Sequence, residues 1–390
     1  MTNDTPPTFP ACLIVGRSPV ALWGITGEER LRRLMRRAGV PDANVVAADT
    51  DAAPALPPGE TVVLLRADHV FEEPLIKSLL TTPSTALLPT DGGVAPAALH
   101  VTRAQASEAW AALRAGGELP AGLAADVTTR SVTELAGQYN THLRKRAEFY
   151  VLSVTAETQD RVERRMFAGS YKGVTDIVTL VVFPWPTRVL TGIFAKLGFK
   201  PNHVTTMGLL CTLATIWFWW NSHFALGFVT AWSMLVLDTV DGKLARTTLT
   251  SSKFGDIYDH GIDLIHPPFW YWAFMHGLGP SFPYLSEVMT VLVICYVAQR
   301  LQEGYFIVKF GIEMHVWRSF DSTFRKFTAR RDPNIAMMTI AWALGFPGEG
   351  ILLVAAWTVL SLGVHTYQIA HATIVKARGG KISSWLAEPA

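Results

Sequence analysis

The sequence predicts an α-helical integral membrane domain, of about six transmembrane helices plus an interfacial helix, preceded by a small α/β domain. Three observations carry this expectation. Of 390 residues, 49% are hydrophobic and only 17% charged, with 13 tryptophans and a mean hydropathy of +0.24. A soluble protein of this length has about a quarter charged residues. The charge is also unevenly spread, most Lys, Arg, Asp and Glu lying before residue 200 and long apolar stretches filling the rest. Within the polar first part, short β-branched runs alternate with helical patterns.

A net charge of +2 is too small to argue for a nucleic-acid partner. The three cysteines, Cys12, Cys211 and Cys295, are far apart and fit neither a metal spacing nor a disulfide framework. The opening MTNDTPPTFPACLIVG shows no basic stretch followed by a long apolar run, so no signal peptide is expected and the amino terminus should stay in the cytoplasm.

Residues 1–130 read as the α/β domain. Its elements are a buried strand at 11–16, an amphipathic helix at 27–38 and a β-branched run at Val45–Val46. A strand within 61–68, a helix near 73–80 and short strands near 84–88 and 97–101 follow. The first helix puts Leu31, Leu34 and Met35 on one face and five arginines elsewhere. Strands alternating with helices predict a mostly parallel sheet. Residues 131–168 are charged and read as a helical connector, and 169–200 as an interfacial amphipathic segment with tryptophan, proline and scattered cations.

Residues 201–380 should hold the six-helix membrane domain, with spans near 204–221, 224–241, 260–278, 286–309, 334–354 and 355–375. Pro201 suits a helix start. Trp217, Trp219 and Trp220 suit an aromatic belt at the far interface. Basic residues gather at Lys243 and Arg246, from Lys309 to Arg331, and at Lys376, Arg378 and Lys381. An even number of spans puts them all on the side of the amino terminus, which the positive-inside rule makes cytoplasmic. The expected setting is therefore a multi-pass protein of the inner, cytoplasmic membrane.

Chemistry concentrates in residues 238–263, DTVDGKLARTTLTSSKFGDIYDHGID. Asp238 and Asp241, three apart, close the second span; Asp259 and Asp263, four apart, open the third. Each spacing puts a pair on one helix face, so antiparallel helices can bring all four carboxylates together. Such a cluster near a membrane edge calls for cations, and oxygen-only ligands suit Mg²⁺ or Mn²⁺. Gly242, Ala245 and Gly255 leave room for a nucleotide, and Arg246 can reach a pyrophosphate. A transporter's ion pathway also uses intramembrane carboxylates, but it does not need these intervening residues.

The fixed positions Asp238, Asp241, Gly242, Ala245, Arg246, Gly255, Asp259 and Asp263 reproduce the signature D-x2-D-G-x2-A-R-x8-G-x3-D-x3-D. The region from about 170 to 380 thereby resembles the CDP-alcohol phosphatidyltransferase family. The resemblance implies a homodimer and two metals per active site, held mainly by the first three aspartates. It further implies Asp263 as general base with metal contact, and Gly242, Ala245, Arg246 and Gly255 along the CDP site. The front domain, through LIVG, GEERLRRLMRRAGV and RADHVFEEPLIKSLL, resembles nucleotidyltransferases that form sugar nucleotides. Asp68 falls where those enzymes keep a metal-binding aspartate. The stretch that should cradle a triphosphate reads GRSPVALWG instead, so a degenerate domain is expected.

Asn202 and Thr205 either cap the first span or touch the CDP moiety. Lys172 and Asp176 lie at the pocket entrance or, on the simpler reading, on the solvated surface. Of the cations Arg318, Arg325, Lys326, Arg330 and Arg331, the last two are candidates for an acceptor phosphate. His260, His266 and the run Phe269 to Trp272 read as packing or lipid-facing residues. The expected reaction transfers a phosphoalcohol from a CDP-alcohol donor to an alcohol acceptor and releases CMP, in phospholipid or inositol-phosphodiester synthesis. The domain order resembles bifunctional enzymes that make CDP-inositol and then an inositol phosphodiester. A CDP-diacylglycerol donor with inositol phosphate, glycerol phosphate or serine is the competing assignment, and a silent membrane scaffold or nucleotide sensor the competing class.

Overall fold

The structure is a computed structural model that describes residues 9–137, 139–140, 143–146 and 148–387. Two compact units emerge. The first takes in the described residues up to 137, those from 148 to 170, and Thr247–Thr250; the second holds the others.

The first unit is built on a six-stranded sheet. Its strands are β1 (Ala11–Val15), β2 (Val45–Ala48), β3 (Thr61–Arg66), β5 (Thr85–Leu87), β6 (Ala98–Thr102) and β7 (Thr128–Arg130), in the order β2-β1-β3-β6-β5-β7. A short ribbon pairs β4 (His69–Phe71) with β10 (Val151–Ser153). Every residue of β1 is buried, as expected of a strand covered on both faces. The helix α1 (Gly27–Arg37) starts where the Thr26 side chain accepts from the Glu29 amide, and it buries Leu31, Leu34 and Met35 against one face of the sheet. On that face lies α2 (Glu73–Thr81), while α3 (Ala106–Ala115) covers the other face through Trp110 and Leu113. α4 (Ala121–Asp126) and α5 (Val132–Ala136) complete this part of the chain.

The sheet is mixed rather than mostly parallel, because β6 runs antiparallel to both β3 and β5. A loop of ten residues lets β5 and β6 pair as a hairpin, an arrangement that strand propensity alone does not distinguish from a crossover. The stretch 131–168 is not a continuous helix. It holds α5, the ribbon strand β10, a small hairpin of β8 (Tyr139–Asn140) with β9 (Lys145–Arg146), and the start of α6 (Gln159–Gly169).

The second unit is helical. Two amphipathic pieces, α7 (Ile177–Val181) and α8 (Pro184–Lys196), occupy the expected interfacial segment. Val181, Trp185, Val189, Ile193 and Leu197 recur every four residues and are all exposed, a continuous apolar stripe. Then come α9 (Pro201–Trp220), α10 (Phe224–Thr247), α11 (Lys253–Leu278) and α12 (Leu285–Phe310), followed by α13 (Ser319–Arg325), α14 (Arg331–Ala343) and α15 (Pro347–Ala377). Three of them, α10, α12 and α15, are long and apolar enough to cross a membrane. The break expected near 354 lies at 344–346 instead, so α14 is short and α15 runs for 31 residues. Pro347 at the helix start dictates that boundary.

α9 packs along α11, and α15 against both α12 and α14. At the end of α9 the expected aromatic belt divides. Trp217 and Trp220 are exposed, but Trp219 is fully buried against Phe228, Trp270 and Phe274. The run Phe269 to Trp272 divides likewise, with Trp270 and Tyr271 in the core and Phe269 and Trp272 outside. Glycines permit this crowding. A Cβ on Gly277 would stand 2.0 Å from the Trp219 carbonyl oxygen, and one on Gly227 would stand 2.2 Å from the Trp219 ring. Gly277→Ala is therefore expected to cost on the order of 1–3 kcal/mol through forced helix separation. A lowered unfolding midpoint of the detergent-purified protein measures it, and an unchanged midpoint would refute the clamp.

Candidate active site

A cavity of about 490 Å³ lies inside the second unit, at the end of α10 and the start of α11. Asp238, Asp241, Gly242, Arg246, Asp259 and Asp263 all line it, together with Arg330 and Arg331. The helix periods deliver the four carboxylates as expected. The Ser252 side chain fixes the start of α11 by accepting from the Gly255 amide at 3.0 Å, which sets the phase of Asp259 and Asp263.

Asp238, Asp259 and Asp263 close into one group whose ligand atoms lie within 4.8 Å of one another. Three carboxylates converging on one point fit a hard divalent cation, since oxygen ligands of this charge suit Mg²⁺ or Mn²⁺. Asp241 lines the same cavity outside this group. It is buried and accepts from the Thr205 hydroxyl at 2.5 Å. The convergent trio is thus the first, third and fourth aspartates of the motif.

Asn202, Thr205, Ala245 and Gly255 are not among the residues that line this cavity. Gly255 makes room for Asn202, whose Oδ1 would be 2.8 Å from an added Cβ. At Gly242 a Cβ would meet the Arg246 guanidinium at 3.1 Å, so this glycine gives Arg246 its place. Asp176 is buried rather than solvated. Its carboxylate caps α7 by accepting from the Thr179 amide and hydroxyl, each at 2.8 Å. Lys172 is exposed at the cavity's edge. His260 is largely exposed, whereas His266 is core, donating to the Ile262 carbonyl at 2.7 Å with its ring edge-on to Trp270.

Arg330 and Arg331 are neighbours in sequence that serve different places. Arg331 donates to Asp238 at 2.6 Å, to Asp263, and through Nε to Asp332 at 3.0 Å. Arg330 donates to Glu303 at 2.5 Å, and Arg300 reaches the other oxygen of Glu303 at 3.0 Å. Two guanidinium groups thus share one carboxylate with Arg325 lining the same cavity, and buried N–H groups remain without partners at Arg300 Nε, Arg325 Nη1 and Arg330 Nε. Unpaired buried donors of this kind call for an anion. His315 also contacts Glu303, at 3.2 Å, and burial pushes its imidazole down to about 3, so it is a neutral donor there. Although Glu303, His315 and His365 form a second group with metal-ligand side chains, Glu303 already serves two arginines.

Sequence reasoning missed Arg300. Its signal was present, because Arg300 and Glu303 are charges three apart within a long apolar helix. In the first unit, Asp68 sits in the turn after β3, with its oxygens engaged by Arg66 at 2.7 and 3.0 Å and by His69 at 2.7 Å. Burial alone would raise its pKa, but His69 and Arg66 hold the carboxyl well below the usual range. No group of metal-ligand side chains forms around it among the described residues.

A helical domain with apolar helices and a carboxylate group opening on a cationic pocket is the setting in which likenesses to known proteins fall. The sequence model of the CDP-alcohol phosphatidyltransferase family matches residues 199–364, a little under half of the chain. The chain is 41% identical over 70 residues to archaetidylinositol phosphate synthase of Pyrococcus horikoshii, covering 18% of this chain and 37% of that protein. It is 27% identical over 121 residues to cholinephosphotransferase 1 of Xenopus laevis, covering 29% of each, and 34% identical over 80 residues to the Danio rerio protein of that name, covering 18% of this chain and 21% of that one. The chain therefore spans well under half the length of these relatives.

The Thr205 bond to Asp241 is buried. Thr205→Val keeps the shape and removes the donor, at an expected cost of about 1.5–3 kcal/mol. The loss should appear as a lower unfolding midpoint, while Thr205→Ser should restore most of it.

Proposed function

We propose that this protein transfers a phosphoalcohol group from a CDP-alcohol to an acceptor alcohol that itself carries a phosphate, releasing CMP. The observation that carries this reading is one cavity lined by both the four motif aspartates and a set of under-neutralised arginines. The first group suits a pyrophosphate-activating centre, the second an additional anion. The likeness to an archaetidylinositol phosphate synthase, a name that includes a phosphorylated product, points the same way.

Asp238, Asp259 and Asp263 would hold divalent cations, on which enzymes of this family generally depend. Bound Mg²⁺ or Mn²⁺ would supply neutralisation of the pyrophosphate and of the leaving oxygen. The chain's own groups divide the remaining work. Arg246, from beside Gly242, offers a forked donor to the donor's phosphates. Asp263 takes the proton of the acceptor hydroxyl, whose oxygen then bonds to the β-phosphorus. The bond from that phosphorus to the bridging oxygen breaks, and CMP departs with the electron pair. Arg300, Arg325 and Arg330 hold the acceptor phosphate so that its hydroxyl faces the carboxylates.

Either donor class fits this scheme, a CDP-inositol type or a CDP-diacylglycerol type. A phosphorylated acceptor such as inositol phosphate or glycerol phosphate is favoured over serine, which brings no phosphate to the arginines. We further propose a homodimer with six spans in the cytoplasmic membrane, its site and amino-terminal domain facing the cytoplasm. Asp68, neutralised by Arg66 and His69, supports a front domain without metal chemistry of its own.

With Mg²⁺ or Mn²⁺, purified protein should release CMP from a panel of CDP-alcohols crossed with phosphorylated and neutral acceptors. Asp259→Ala is expected to lower the rate by at least about a thousandfold, as for loss of a principal electrostatic group. No CMP from any pair would favour the scaffold reading. Arg325→Ala should raise KM for a phosphorylated acceptor by about tenfold or more, the worth of one charged hydrogen bond, while leaving the donor KM near wild type. Equal effects on both substrates would count against the acceptor assignment.

A further inference from the structure

Arg331 spends its whole guanidinium on carboxylates. Nη2 donates to Asp238 Oδ2, Nη1 to Asp263 Oδ1 and Nε to Asp332 Oδ1. Two of these acceptors belong to the trio whose ligand atoms converge within 4.8 Å. The side chain is only 12% exposed and leaves the chain at the first residue of α14. Its anchor is well held. Asp332 is buried with Thr179 in reach, and the Asn334 side chain donates to Tyr271 on α11 at 2.7 Å, which fixes α14 beside the carboxylates.

A lone-pair direction used by a guanidinium N–H is closed to a metal ion. A fixed positive charge this close also repels a divalent cation in a poorly screened interior. We infer that Arg331 is a built-in competitor of the divalent cations: it lowers the site's affinity for metal and makes tight capture depend on a bound cytidine nucleotide, whose phosphate supplies the missing negative charge. The inference rests on the trio being a metal centre, as the proposed function holds. It adds that Arg331 serves this centre as a positioning residue, with its guanidinium still tethered to Asp332 when it leaves Asp238 and Asp263. Tethered there, it stays within reach of the arriving phosphates. The acceptor-phosphate role expected of Arg331 from sequence passes instead to Arg300, Arg325 and Arg330.

The test is Mn²⁺ binding by the full-length protein in detergent, read from the electron paramagnetic resonance signal of free Mn²⁺, with and without CMP. Wild type should bind Mn²⁺ weakly alone and about tenfold or more tightly with CMP, within the usual span of coupling between two ligands. Arg331→Met should bind Mn²⁺ alone about tenfold more tightly than wild type and gain much less from CMP. Its unfolding midpoint should fall below wild type in EDTA and recover in saturating Mn²⁺, because the metal then takes over the neutralisation. Asp332→Asn, which loosens the tether without touching the trio, should shift affinity in the same direction by a smaller factor. An Arg331→Met protein that binds Mn²⁺ equally or less tightly would overturn the inference while leaving the metal centre standing. A wild type that binds no Mn²⁺ with or without CMP would overturn both.

Discussion

Four like charges gathered where two helices meet repel one another, and the rest of this site answers that repulsion. Asp238, Asp259 and Asp263 converge, Asp241 accepts a hydrogen bond from Thr205, and Arg331 reaches across from α14 to neutralise two of them. Isolated buried carboxylates would simply take up protons. A cluster held by hydroxyl, guanidinium and, under the proposed function, divalent cations keeps its charge and so keeps its chemistry. The helices around it serve mainly to fix these partners at the right phase and distance.

Much of this was legible because helical spacing is local. Three and four residues within one helix specify a shared face, so the motif aspartates could be placed together from numbering alone. Pro201 and Pro347 mark helix starts through their missing N–H, although only the first was read as such. In the front unit, β-branched runs located strands to within a residue or two. Their direction was another matter, since whether β6 returns beside β3 parallel or antiparallel depends on partners far away in the chain.

What escaped reading was whatever depends on distant packing. Arg330 is the extended residue just before α14 and Arg331 is its first helical residue, and that change of backbone direction sends one to Glu303 and the other to the aspartates. Trp219 looks like Trp217 and Trp220 in sequence but faces Gly227 and Gly277 across two other helices. The space beside Gly242 and Gly255 is bordered by Arg246 and Asn202, neighbours that spacing in the sequence does not name. Residue type announces an opening; only the neighbours decide what fills it.

The glycine contacts around Trp219 carry a mechanical consequence. They join α9, α10 and α11 at the end away from the carboxylates, since Gly227 lies fourteen residues before Asp241, roughly 21 Å along α10 at 1.5 Å per residue. A bundle riveted at one end behaves like tongs. Any widening of the bundle must open the tips, where the aspartates are, and a small angular change at the pivot becomes a displacement of ångströms there. The spacing of the carboxylates would then follow any opening of the bundle.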